Sequence, residues 1–210
     1  MALQNRVFPS GDIVADPARG TFMGNRGGRI HDPETQSLYS RRRWASKQWI
    51  CCKTEFNRLQ RTVMGKGYTE LFFLDEAVAL SAGHRPCFEC RRQDFLHFAE
   101  VWRKVKRQKK RPTAKQMDDI LHAERLSNGE KSITRIFWEQ LPNGAFVAHE
   151  GGAVAKFNGQ PVIWSASGYL KPKDAAMFDD RLVSCLTPKT ILAVLARGYT
   201  PHWHESIDDI

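Results

Sequence analysis

Glu70-Leu71-Phe72-Phe73-Leu74-Asp75-Glu76-Ala77-Val78-Ala79-Leu80-Ser81-Ala82-Gly83-His84-Arg85-Pro86-Cys87-Phe88-Glu89-Cys90-Arg91-Arg92 is the stretch that organises this chain. Residues 68–73 read as a strand. Asp75 is a good N-cap for a short helix over 76–82, and Gly83 supplies its stop. A Cys-x-x-Cys turn follows. Beyond it, Phe95, Phe98, Trp102 and Val105 fall at spacings of three, four and three, the apolar face of a further helix. Upstream, 48–56 reads as a strand carrying the adjacent Cys51 and Cys52.

Working outward, Asp12-Ile13-Val14 and Thr21-Phe22-Met23 suggest short strands. Gly24-Asn25-Arg26-Gly27-Gly28-Arg29 reads as a basic turn, with a phosphate-contacting loop as the alternative. It lacks the glycine spacing and the strand–turn–helix frame of a dinucleotide site. The basic run 103–115 extends the preceding helix as far as Pro112, where a soft domain boundary is expected. Met117, Ile120 and Leu121 predict another helix, through 126. Phe146-Val147, Ala153-Val154-Ala155 and Val162-Ile163-Trp164, separated by Gly-Gly and Asn-Gly turns, predict an antiparallel meander. Residues 183–186 look like one more strand. Thr187 is expected to cap a last helix, with Pro188 at its first position. The expected fold is α+β: a basic half, 1–112, containing a metal module over about 36–103, then a helix and a small antiparallel β-rich module over 113–210.

The chain has 210 residues, 41% hydrophobic and 26% charged, the composition of a folded globular protein. It lacks an apolar run of the ~18 residues that a membrane helix needs. Its first residues show no signal-peptide pattern, so a cytoplasmic protein is expected. The formal net charge is +9. Residues 1–115 carry 23 basic and 11 acidic side chains, a net of +12, whereas 116–210 carry a net of −3. That asymmetry predicts an anionic partner for the first half, nucleic acid above all, either DNA or RNA.

Five cysteines in a reducing compartment point to a metal rather than to disulfides. Cys87 and Cys90 make half of a zinc site, and the other half is expected from Cys51 or Cys52. Cys185, in an apolar run, is expected to be core.

Phe72-Phe73, Ala82-Gly83, Arg85-Pro86-Cys87, Cys90 and Arg91, in this order and spacing, resemble the zinc-binding N-terminal domain of the Ada alkylation-repair family. The close match covers about 25 residues around these positions, and a looser one covers about 40–92. The resemblance implies Zn2+ held by Cys51, Cys52, Cys87 and Cys90, contact with DNA, and methyl acceptance at Cys51 or Cys52. The sequence departs from the family, whose first pair is Cys-x-x-x-Cys. Adjacent residues on a strand face opposite ways. Either a bulge turns one of the two cysteines, or one ligates and the fourth ligand comes from elsewhere, with His31 and His84 as candidates.

Arg41, Arg42, Arg43, Lys53, Arg58, Arg61, Lys66, Arg85, Arg91 and Arg92 surround the motif, interleaved with Trp44, Trp49 and Tyr68. Arginines bind phosphate and aromatic rings stack on bases. The expected nucleic-acid contacts are therefore Arg41, Arg42, Arg43, Trp44, Lys53, Arg85, Arg91 and Arg92. The function expected is that of a zinc-containing nucleic-acid-binding protein in DNA repair or processing. One alternative is an enzyme acting on nucleic acid or nucleotides with His122, Glu124 and His149 in its site. The other is a zinc-stabilised interaction module. His202 and His204 are weaker metal candidates. No hydrolase, metalloprotease, P-loop or kinase motif is present.

Overall fold

The computed structural model describes residues 2–56, 62–174 and 176–210. The first sheet contains β1 (Gln4–Val7), β2 (Ile13–Ala15), β3 (Phe22–Arg26), β4 (Trp49–Lys53), β5 (Leu71–Phe73) and β6 (Arg85–Pro86), in the order β2-β1-β5-β3-β4-β6. It is mixed: β1–β5 and β4–β6 are parallel, and the other pairs are antiparallel. Helix α1 (Glu76–Ser81) follows β5 and packs into the core, with Ala77, Val78 and Ala79 fully buried. Gly24 lets β3 lie against its neighbours, because a Cβ there would meet Ile50 O at 2.0 Å.

Three longer helices form a second layer: α2 (Arg92–Val105), α3 (Ala114–Arg125) and α4 (Lys189–Ala196). The Phe95–Phe98–Trp102 stripe of α2 meets Met117 and Leu121 of α3 and Ile191, Val194 and Leu195 of α4 in one cluster. Helix α2 ends at Val105, and Arg107 adopts a positive φ of 50°. The basic run that follows is therefore not helical as far as Pro112, since nothing apolar in it demands burial. Thr113 opens α3 with a capping box to Gln116. Thr187 does not cap α4: its hydroxyl accepts from Phe146 N instead. The carboxylate of Glu124 takes over, accepting from the N–H and hydroxyl of Thr190.

After α3 come a two-stranded ribbon, β7 (Leu126–Ser127) and β8 (Glu130–Lys131), and an antiparallel sheet. The sheet contains β9 (Thr134–Phe137), β10 (Phe146–His149), β11 (Gly152–Phe157), β12 (Gln160–Ser165), β13 (Gly168–Leu170) and β14 (Leu182–Cys185), in the order β13-β12-β11-β10-β14-β9. The α+β class and the β-rich second half are as expected. The division at residue 112 does not coincide with a division of the core. Leu71, Phe73, Ala77 and Val78 pack with Phe146, Ala155, Val162 and Tyr169, and the helical cluster also spans that position. No described helix is long and apolar enough to cross a membrane.

Two adjacent, fully buried carboxylates join the halves. Asp75 caps α1 through Val78 N at 2.9 Å, and its other oxygen accepts from Tyr169 OH and His204 N. Glu76 accepts from Tyr199 OH at 2.7 Å and from His202 N at 3.0 Å. Burial pushes the Asp75 carboxyl up to about 6, against the pull of its three donors. A folded value above the unfolded one means that the native state holds the proton more tightly. The contribution is complete below the ordinary carboxylate range and is lost as pH rises through about 6. Wild type should therefore lose on the order of 2–3 kcal/mol relative to Asp75→Asn between about pH 4 and 7. Denaturant midpoints at several pH values test this, and parallel profiles for the two proteins would refute it.

Candidate metal centre

The period of two on β4 separates the adjacent cysteines. Cys51 faces the core with Leu71 and Phe73, whereas Cys52 shares the opposite face with Ile50 and with Met23 of β3. Strand β6 then runs parallel to β4, pairing Ile50 with Arg85 and Cys51 with Pro86. The pairing continues one step further, where Cys87 N donates to Cys51 O at 2.9 Å. The turn closes with Arg91 N donating to Cys87 O. These bonds carry Cys87 and Cys90 alongside Cys52, and the three Sγ atoms lie within 4.8 Å of one another.

This arrangement can hold a metal ion. Thiolates about 2.3 Å from a tetrahedral ion sit roughly 3.8 Å apart, a separation that small rotations of three neighbouring side chains reach. The surrounding donors also suit bound thiolates. Backbone N–H groups of Cys90 and Glu89 point at the Cys87 sulfur, and that of Lys53 points at Cys90. The neighbouring Cys52 and Cys90 side chains lower the Cys87 thiol, which holds its proton more loosely than an ordinary one, while its neighbours and burial push Cys52 up. The triad is nearly buried and borders two clefts of about 290 and 620 Å³.

Cys51 does not belong to the set. It is fully buried, burial raises its thiol, and its sulfur accepts from Arg91 Nη1 at 3.3 Å. Strand alternation therefore prevails over a bulge. The two histidine candidates are also occupied elsewhere. His31 lies between Thr69 Oγ1 at 2.6 Å and Gly65 O at 2.8 Å. His84 packs its ring against Trp49 and Phe73.

The expected basic face divides. Arg85 and Arg91 are internal, 1% and 2% exposed. Arg85 makes a bidentate pair with Asp118, through Nε at 2.9 Å and Nη2 at 2.8 Å. Arg91 bonds Asp94 through Nε, and its Nη2 lies 2.8 Å from Glu76 Oε2, close in charge but off the line of a good hydrogen bond. Neither is available to nucleic acid, because each neutralises a buried acid. Arg41, Arg42, Arg43, Lys53 and Arg92 are exposed, and Trp44 is half-buried against Trp49 and His122. Arg58 and Arg61 lie outside the described residues.

The other polar candidates do not converge. His122 abuts Trp44, Glu124 caps α4, and the ring of His149 meets Phe178. His202 and His204 donate their backbone N–H groups to Glu76 and Asp75, and the His204 ring is bonded to Ser206. Cys185 is core, as expected. Sequence reasoning missed Glu76, which resembles an ordinary solvated acid in a first helical turn. It also missed Phe56 and Phe88, which are exposed at the rim of the cysteine site.

No protein-family model, no curated protein and no solved structure matches the chain.

Metal content should survive Cys51→Ala and Cys185→Ala and be lost in Cys52→Ala, Cys87→Ala and Cys90→Ala. Each of the first two should cost about 1 kcal/mol, as small buried truncations do. Elemental analysis of the five purified variants checks the assignment. Metal loss with Cys51→Ala and retention with Cys52→Ala would reverse it.

Proposed function

We propose that the chain carries Zn2+ on Cys52, Cys87 and Cys90 and binds nucleic acid over the surface around that ion. The observation that carries this reading is the three-cysteine cluster set beside exposed cations and aromatics. Lys53 follows Cys52 directly, Arg92 lies two residues after Cys90, and Phe56 and Phe88 stand exposed beside them. Thiolate-rich sets of this kind select zinc among the common divalent ions. Bound zinc neutralises most of the charge of the three thiolates and holds the β4 and β6 segments together, and the attraction for phosphate comes from the cations around it. Lys53 and Arg92 are placed to contact phosphates, with the Arg92 guanidinium 4.5 Å from the Phe88 ring centroid. Arg41, Arg42 and Arg43 add exposed charge on the same basic half. The Ada-like text around Cys87 and Cys90 supports the same reading and suggests DNA repair or processing as the setting.

A second reading is favoured by the ligand count. No fourth His, Cys, Asp or Glu atom joins the cluster among the described residues. The remaining positions, Met1, 57–61 and Ala175, contain none of those residue types. Three protein ligands with an exchangeable fourth is the pattern of reactive zinc sites. An enzyme acting on nucleic acid would use such a position for water or substrate, whereas methyl acceptance would use one of the ligating thiolates itself. Of the two cysteines that the Ada resemblance offers for methyl acceptance, Cys52 is then the candidate, since Cys51 faces the core.

Purified protein should contain about one zinc per chain. A structural zinc contributes on the order of 10 kcal/mol to folding, so strong chelation should lower the melting temperature sharply. Affinity for short DNA or RNA should fall with salt. The double change Lys53→Ala/Arg92→Ala should reduce the magnitude of the log–log salt slope by about 2 on duplex DNA, since each lost phosphate contact is worth ~0.9. Titrations at four salt concentrations measure it. Absence of binding by folded, zinc-loaded protein at low salt would remove the nucleic-acid reading and leave an interaction module.

A further inference from the structure

A second cluster, sharing no lining residue with the two cysteine clefts, gathers four cations around a single, largely exposed acid. Arg26, Arg125 and Lys131 line a cavity of about 40 Å³ walled by Trp49. Arg26 and Arg125 are 2% and 1% exposed. Both guanidiniums stack on the Trp49 ring, 4.0 and 4.3 Å from its centroid. The ring itself is pinned by its Nε1 donating to Ser46 O.

The hydrogen bonds of these cations go to backbone carbonyls, not carboxylates. Arg26 Nη2 donates to Gly11 O, Arg125 Nε to Leu121 O and Lys131 Nζ to Ser81 O. Arg26 Nε and both Nη atoms of Arg125 are buried with no acceptor. Among the described residues no carboxylate lies within 4 Å of any of the three. The undescribed positions contain no Asp or Glu. The nearby acids are committed elsewhere: Asp118 to Arg85, and Glu124 to Thr190. Asp12 lines the same cavity but is largely exposed and pairs with Arg43.

Unpaired buried cations cost several kcal/mol each, and buried donors left without acceptors add to that. Burial pulls Arg26 and Arg125 down to about 9 and Lys131 down to about 7, a measure of the same penalty. A bound anion relieves it. Two planar forks and an ammonium around one small cavity suit a tetrahedral oxyanion. A dianion offsets the excess charge better than a carboxylate, because the three cations and Arg43 face only Asp12. A neighbouring cavity of about 220 Å³ shares Arg26, Arg43 and Asp12 and adds Arg42 and the exposed Tyr39, which leaves room for a group attached to the anion.

We propose that Arg26, Arg125 and Lys131 form a binding site for a phosphate group, either inorganic phosphate or a phosphomonoester. The site uses none of the cysteine centre's residues, so its test stands apart from the zinc reading; Arg42 and Arg43 at its mouth are shared with the proposed nucleic-acid surface, whereas Arg26, Arg125 and Lys131, the residues tested, are not. Metal-loaded full-length protein is titrated calorimetrically, at constant ionic strength, with inorganic phosphate, AMP, adenosine and acetate. Its melting temperature is followed in parallel. Phosphate or AMP should bind and raise the melting temperature, whereas adenosine and acetate should do neither. Tighter AMP binding assigns a phosphomonoester, and equal or tighter phosphate binding assigns the free ion. Losing one charge-assisted contact should weaken affinity about 10–100-fold in Arg125→Met. Lys131→Met, on the ribbon, supplies the same readout should Arg125→Met fail to fold. Unaltered affinity in the folded variants, or no difference between phosphate and chloride at matched ionic strength, would overturn the proposal.

Discussion

The ion pair between Arg91 and Glu76 is the constraint on which the rest depends. Arg91 follows Cys90 immediately, and Glu76 opens α1. Both are buried, so separating them leaves an uncompensated charge, at a cost of about 3–5 kcal/mol. The pair fixes three things together. It ends the Cys-x-x-Cys turn at a defined place. It brings a guanidinium N–H to the Cys51 sulfur on the core side of β4. Through Tyr199 and His202, which also bond Glu76, it ties the end of the chain to α1. The candidate metal centre is therefore held by the whole protein rather than by an independent module.

The same logic explains why basic text does not translate directly into basic surface. Ten cationic side chains surround the motif in sequence, yet Arg85 and Arg91 serve buried acids. Which arginines turn inward depends on where acids lie in space. Asp118 is 33 residues from Arg85 and meets it only in the folded chain, where the Arg85 side chain reaches α3. Lys53 and Arg92 remain outside because they stand at the end of β4 and the start of α2, where both line one cleft.

The two concentrations of polar chemistry sit on one strand with different electrostatics. At Cys52 three ionisable thiols collect negative charge that a cation would stabilise. At Trp49, three residues earlier, two guanidiniums and a lysine collect positive charge that an anion would stabilise. Strand β4 thus carries both sites within five residues.

Much of the fold was legible in local text. The Asp75 cap, the Phe95–Phe98–Trp102 stripe and the β-meander with its tight turns all follow from chain-local rules, and each was found where expected. The cysteine cluster was legible in part: Cys87 and Cys90 were expected to pair with Cys51, Cys52 or both, with strand alternation leaving either a bulge or a single ligand from β4. The sequence alone left open which of the two turns to the metal. That depended on which face of β4 meets α1, a question settled by packing Cys51 against Leu71 and Phe73. Nor did local text reveal the shared core across residue 112, the internal roles of Arg85 and Arg91, or the unpaired cations beside Trp49. Those arise from contacts between residues far apart in sequence, such as Arg26, Arg125 and Lys131. Periodicity reports the face a side chain takes on its own element; only tertiary packing decides what that face meets.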